Sequence, residues 1–459
     1  MPPNPHHPQL RTPWSGSDRL LARVLAQPLQ QFVRTEAAGG MVLLAAAVAA
    51  LVWANSPWSS SYEQVWNTEL AVRIGNWQLT HVLRDWVNDL AMALFFFVAG
   101  LEIKRELAHG ELRSARSASL PVACAIGGMA APAAIFLALN AGTAGARGWG
   151  VPMATDIAFS LGVLALLGKR LPTSMKVFLL TLAIVDDIGA IMVIALFYSA
   201  DISPIWLGVA VACAGAILAV RRIGVHSLIP YLALAALMWF ATLESGVHAT
   251  IAGVVLGLLT PARPLQHPAT VQRVAIDRLD NSHLRDEVAD EEDETSLLEV
   301  ASLTTDAVSP LGRLERRLHP WSSFVVLPLF ALSNAGVAVS RETVSALPTN
   351  RPSVGIIVGL VVGKPVGIMA AAVVAVWVVG ARLPSLASWG DLAGAGALAG
   401  IGFTVSLFVA GLGFDGAEAD QARLAVLVSS VIAGALGAAV LSTRRRTHEE
   451  LDPRLAPDH

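Results

Sequence analysis

Four ionisable residues, Asp156, Asp186, Asp187 and Lys364, lie deep inside apolar runs long enough to cross a membrane. A charge at the centre of a bilayer costs about 2.5–3.5 kcal/mol even on a lenient insertion scale, so four unpaired ones would cost on the order of 10 kcal/mol. They must therefore pair, protonate or coordinate something. Structural ion pairs are the bland explanation, but three acids against one base leave carboxylates in excess. An excess of carboxylate is what a cation site needs. The chain is expected to be an all-helical polytopic membrane protein that moves ions or protons.

Composition agrees with that expectation. Of the 459 residues, 54% are hydrophobic and only 15% charged, against about a quarter charged in soluble domains. About 20 apolar residues cross the hydrocarbon, and on that measure the apolar runs predict twelve spans. They fall near 37–54, 81–101, 117–139, 150–167, 174–198, 204–220, 228–243, 246–260, 320–338, 353–379, 390–412 and 421–442. The seventh and eighth are short and nearly continuous, and could form one bent pair.

Lys and Arg in the short connections set the orientation. With the N-terminus inside, so are Arg11, Arg19, Arg23 and Arg34, then Lys104, Arg105, Arg113 and Arg116, then Lys169, Arg170 and Lys176. Arg221 and Arg222 follow, then Arg313, Arg316 and Arg317, then Arg382, and finally Arg444, Arg445 and Arg446. The other side keeps only scattered arginines such as Arg73, Arg147, Arg341 and Arg351. Both termini are expected in the cytoplasm. The first 36 residues form a polar, Pro-rich tail without a signal-peptide pattern. The first span is expected to stay as an anchor.

The remaining division is into spans 1–8 (37–261), a connecting loop (262–312), spans 9–12 (313–442) and a C-terminal tail (443–459). The loop holds Asp290-Glu291-Glu292-Asp293-Glu294, and its composition predicts a disordered cytoplasmic linker or a regulatory segment. On the outer side, Val65 to Thr80 alternates weakly around Gly75-Asn76, which predicts either a hairpin or an irregular loop. Cys124 and Cys213 sit in apolar runs and read as small buried side chains.

Adjacent residues on a helix point about 100° apart, so Asp186 and Asp187 cannot do the same job. One can face a cavity while the other faces a different neighbour such as Lys364. Pro152, four residues before Asp156, removes a backbone donor and disfavours helix in the residue before it. A broken helix at that depth is tolerated where it lines a cavity or is buried in protein. Its carbonyls and the Thr155 hydroxyl are oxygen ligands suited to a hard cation. The eleventh span is also weak, with Gly394, Gly396, Gly400 and Gly402, although a glycine-rich packing face would look the same. Two interrupted spans in corresponding positions point to a transporter site at a repeat interface. Spans three to five and ten to twelve would be the inverted repeats.

Several strings resemble the NhaA-type sodium/proton antiporters, a family that is also a standard example of inverted-repeat transporters. They are Gly-Leu-Glu-Ile-Lys-Arg-Glu-Leu (100–107), Ala-Thr-Asp-Ile-Ala-Phe (154–159), Val-Asp-Asp-Ile-Gly-Ala-Ile (185–191) and Ser-Gly-Val-His-Ala-Thr (245–250). Leu-His-Pro-Trp (318–321), Gly-Lys-Pro-Val-Gly-Ile (363–368) and Gly-Ile-Gly-Phe-Thr (400–404) continue the series. The similarity runs from about Glu36 to Ser442 apart from the acidic loop.

The resemblance implies that Asp186 and Asp187 bind Na+ or Li+ in exchange for protons, with Asp187 the principal ligand and Thr155 accessory. It implies that Asp156 and Lys364 balance charge where two discontinuous helices cross. Glu102, Arg105, Glu106, Glu315 and His319 would form a cytoplasmic pH-sensing cluster, with His248 affecting the pH response. Arg316 departs from the pattern, which has a histidine there. The implied protein is a pH-regulated, electrogenic antiporter of a bacterial inner membrane. It would need no cofactor beyond its transported ions, touch membrane lipid, pair as a homodimer through the outer hairpin and bind no nucleic acid.

Three other readings remain. A sodium-coupled symporter of an organic solute shares this architecture. A cation channel would use the acids as a selectivity ring, against which Lys364 and the lack of a repeated filter loop both count. An intramembrane aspartyl protease needs its acids on two facing helices, whereas two of these are adjacent.

Overall fold

The computed structural model describes residues 36–443 except 75–76, 167–171, 200, 226–227 and 282–290. The N-terminal tail, the turn at Gly75-Asn76, Lys169, Arg170, Asp290 and Arg444 to Arg446 lie outside the described residues.

The chain folds as a helical, multi-pass membrane protein. Among the described residues six helices are long and apolar enough to cross a membrane, or up to nine if each bent pair is one span. They include Leu83–His109, Ala115–Asn140, Pro204–Arg222 and Gly416–Ser442. Many apolar side chains face outward, among them Val211, Leu196 and Trp377, as a lipid-facing surface requires. Leu228–Glu244 and Thr250–Leu259 are two shorter apolar helices, separated by a turn through Gly246 at φ 78°.

The first helix, Glu36–Ala54, is followed across a 116° bend by Ser59–Trp66. Then come β1 (Glu69–Ile74) and β2 (Trp77–Val82), paired antiparallel from Glu69↔Val82 to Ile74↔Trp77. The ribbon realises the hairpin option for this connection.

Among the described residues of 262–312, where disorder was the expectation, two helices stand, Pro268–Asn281 and Glu291–Asp306, joined by an Arg278–Glu299 ion pair. Of their apolar residues Val271 is buried, whereas Val274, Leu297 and Leu298 are exposed.

Two further bent pairs matter for the site. Ala144–Met153 and Ile157–Ala165 are set at 44° across a break at residues 154–156, and Trp389–Ala399 and Phe403–Gly413 at 44° across Gly400-Ile401-Gly402. Pro152 and the glycines mark both breaks. Leu83–His109 and Arg351–Val378 each contain a wider π-helical turn, Val87–Ala91 and Gly359–Gly363 respectively. The second ends directly before Lys364. A single extra residue in a turn re-aims the side chains beyond it, which is why such turns recur at functional sites.

Candidate functional site

The two broken helices meet at their breaks and exchange hydrogen bonds there. Interrupting a helix leaves amides and carbonyls without intrahelical partners, and in this bundle each segment satisfies the other. The Asp156 amide donates to the Ile401 carbonyl at 2.7 Å. The Thr155 hydroxyl donates to the Ala399 carbonyl at 2.9 Å and the Ser160 hydroxyl to the Leu398 carbonyl at 3.0 Å. In the opposite direction, the Ser406 hydroxyl donates to the Val151 carbonyl at 2.7 Å. Each serine lies four residues beyond the last residue of its break.

Asp156 joins two helix N-termini. Its Oδ1 accepts from the Phe159 amide at 2.9 Å, an N-cap on its own helix. Its Oδ2 accepts from the Thr404 amide at 3.0 Å and the Thr404 hydroxyl at 2.7 Å. A carboxylate between two helix N-termini meets the positive ends of both dipoles. Lys364 serves the opposite polarity, since its Nζ donates to the carbonyl of Met153, the last residue of the segment before the break.

The adjacent aspartates on the helix Thr173–Phe197 diverge, as their angular separation requires. Asp186 Oδ2 accepts from Lys364 Nζ at 2.6 Å, and both side chains are 1% exposed. Asp187 faces elsewhere. It lines a cavity of about 340 Å³ together with Glu102, Thr155, Asp156, His319 and Thr404. Its buried Oδ1 accepts no hydrogen bond among the described residues. An uncompensated buried carboxylate is costly, and proton or cation binding relieves that cost.

The remaining sequence candidates separate into four places. Glu102 and His319 line the same cavity as Asp187. Arg105 and Glu315 form an ion pair that links the helix Leu83–His109 to the helix Pro310–Trp321. Glu106 instead accepts from the Glu111 amide at 2.8 Å and from Thr181, closing the turn that ends its helix. His248 stands apart, with Nε2 2.9 Å from the Tyr198 carbonyl and its ring edge-on to Phe408. Arg316 is exposed and donates to the Gly312 carbonyl of its own helix.

Thr404, Ser160 and Ser406 were not singled out by the sequence reading. Thr404 was visible only as the end of Gly-Ile-Gly-Phe-Thr. The signal available was its place just inside a helix N-terminus after Gly402, where a hydroxyl and a free amide point the same way.

The chain matches the family described as Na+/H+ antiporter 1 over residues 30–441. It is 48% identical to the Na(+)/H(+) antiporter NhaA of Oleidesulfovibrio alaskensis over 91% of this chain and 93% of that one. Against the Na(+)/H(+) antiporter NhaA 2 of Sorangium cellulosum the identity is 46%, covering 92% and 91%. Against the Na(+)/H(+) antiporter NhaA of Koribacter versatilis it is 42%, covering 96% and 97%.

Proposed function

The chain belongs to the Na+/H+ antiporter 1 family, and from that premise we propose that it exports Na+ or Li+ against inward H+ by letting cation and protons compete for Asp187 and Asp186. A Na+/H+ antiporter is a secondary active transporter, not an enzyme. The observation that carries the proposed exchange site is the divergence of the two carboxylates, one paired with Lys364 and one lining the cavity with an unpartnered oxygen.

In the proposed cycle the cation reaches Asp187 through the cavity and displaces its proton. The Asp187 carboxylate, the lone pairs of Thr155 and nearby backbone carbonyls replace its water shell. A second proton leaves the Asp186–Lys364 pair. The loaded site then opens to the other side, releases the cation and is recharged with two protons. Asp156 holds the N-termini of the two half-helices together throughout, so that the breaks stay aligned while the helices move. Two protons for one monovalent cation move one net charge per cycle.

Glu102, His319 and the Arg105–Glu315 pair stand at the cavity and beside it, which supports a part in pH control. Glu106 and His248 would act on it only indirectly, through the turn and the loop that they hold. The basic connections support a bacterial inner membrane with both termini, and the cavity mouth, on the cytoplasmic side. An isolated two-stranded ribbon is marginal in water, and Leu70 and Val72 of β1 are 50% and 41% exposed. Both facts support pairing of β1–β2 with a second copy.

The test uses everted vesicles from an antiporter-deficient strain. Added Na+ should collapse a preformed pH gradient with the wild-type chain, and Asp187→Asn should abolish that response at wild-type expression. Full activity of Asp187→Asn would remove Asp187 from the site. A solute symporter would instead show solute-dependent Na+ uptake.

A further inference from the structure

The half-helix Phe403–Gly413 starts without a cap of its own. Its N-cap position is Gly402, which has no side chain to offer the first amides. Those amides have no partner inside a helix, and this start is buried, with Phe403 and Thr404 each 2% exposed. Two side chains from other elements take the first two. Asp156 Oδ2 accepts from the Thr404 amide, and Ser430 Oγ accepts from the Phe403 amide at 3.3 Å. Ser430 stands on the helix Gly416–Ser442 and is itself 2% exposed.

That helix runs unbroken beside both halves of the broken span. Before the break, a Cβ on Gly437 would lie 3.0 Å from the Leu398 amide nitrogen. At the break, a Cβ on Gly400 would lie 3.2 Å from the Ala433 Cβ and 2.5 Å from the Leu360 carbonyl oxygen. Leu360 belongs to the π-helical turn Gly359–Gly363 that ends directly before Lys364. The break is thus packed against a continuous helix and against the turn that aims Lys364. Just beyond it, the Ser430 hydroxyl adds a directional bond to that packing.

We propose that Ser430 is a positioning residue for cation exchange: its hydroxyl fixes the start of the half-helix so that Thr404 keeps both of its donors on Asp156. Thr404 and Asp156 line the cavity with Asp187, so a displaced helix start changes the space that the cation enters. Without the hydroxyl, the Phe403 amide is left buried and unpaired. That is costly, and a small shift of the helix start toward another acceptor relieves it. The inference rests on the exchange reading above, because its consequence is read in transport.

Na+/H+ exchange by the full chain in proteoliposomes, measured against Na+ concentration, tests it. Ser430→Ala should raise the Na+ KM about fivefold, the worth of one neutral hydrogen bond, with turnover at saturating Na+ little changed. Ser430→Thr keeps the hydroxyl and should return the KM toward the wild-type value. Ser429→Ala serves as the control, since the Ser429 hydroxyl donates to the Val426 carbonyl of its own helix, and it should leave the KM unchanged. In a Thr404→Val background, Ser430→Ala should add less than about twofold, because residues that act as one unit are not additive. A wild-type KM in Ser430→Ala, an equal rise in Ser429→Ala, or full additivity with Thr404→Val would each overturn the assignment while leaving the exchange reading intact. Wild-type proteoliposomes without Na+-dependent proton movement would fail the exchange reading itself, and this inference with it.

Discussion

Asp186 and Lys364 illustrate how a buried pair can be essential to a fold without adding much to its stability. Their contact is 2.6 Å and sealed from solvent. Removing one partner leaves a buried charge uncompensated, which typically costs about 3–5 kcal/mol, whereas replacing both by neutral groups of similar size is close to neutral. Lys364→Met and Asp186→Asn are each expected to lower the thermal unfolding midpoint in detergent strongly. The double variant should recover most of that loss, and additive single effects would show that the pair is not a closed unit. A second residue-scale expectation concerns Thr404, which supplies both donors to Asp156 Oδ2. Thr404→Val removes one hydrogen bond to a charged acceptor, an effect of about 1.5–3 kcal/mol. Transport should fall at least tenfold and return with Thr404→Ser; equal loss in both variants would point to packing instead. The acids themselves were legible in the sequence because a charge inside an apolar run is conspicuous. Thr404 was not, because its importance lies in what it touches across 248 positions of chain.

At the scale of elements, most helices were legible from the length of apolar runs, and both breaks from Pro152 and the Gly400–Gly402 pair. The segment at 262–312 was not. Its acid content resembles that of a disordered segment, while its two described helices touch through contacts such as the exposed pair Arg278 with Glu299. Composition over a window is blind to such pairing. The helix Pro310–Trp321 joins this segment to the cavity and presents His319 to it. Desolvation beside the cavity lowers the His319 imidazole from its ordinary 6.5, Glu315 opposes the shift, and Arg105 reinforces it. A lowered value means that the ring has already lost its proton at about pH 7 and stays neutral above it. His319→Gln should therefore leave the alkaline limb of the activity–pH profile in place and alter only the acid limb. A displaced midpoint between about pH 7 and pH 9 would show that the ring titrates there after all.

At the scale of the whole molecule, the proposed cycle would couple chemical exchange to the electrical field, and the separation of the two aspartates makes that coupling testable. If Asp187 alone traded one proton for one Na+, exchange would be electroneutral and blind to voltage. In the proposed cycle a second proton from the Asp186–Lys364 pair would make each turnover carry one net charge. That charge is worth about 2.3 kcal/mol per 100 mV, which corresponds to about a 50-fold change in the sodium gradient that the protein can sustain. In proteoliposomes clamped by potassium and valinomycin without a pH gradient, a potential of about 100 mV should drive Na+ uphill in the wild type. The double variant Asp186→Asn with Lys364→Met keeps Asp187 and its cavity but removes the source of the second proton. It should still exchange Na+ for H+ under a pH gradient and ignore the imposed potential. Voltage-driven Na+ movement in that variant would place the second proton somewhere other than the buried pair.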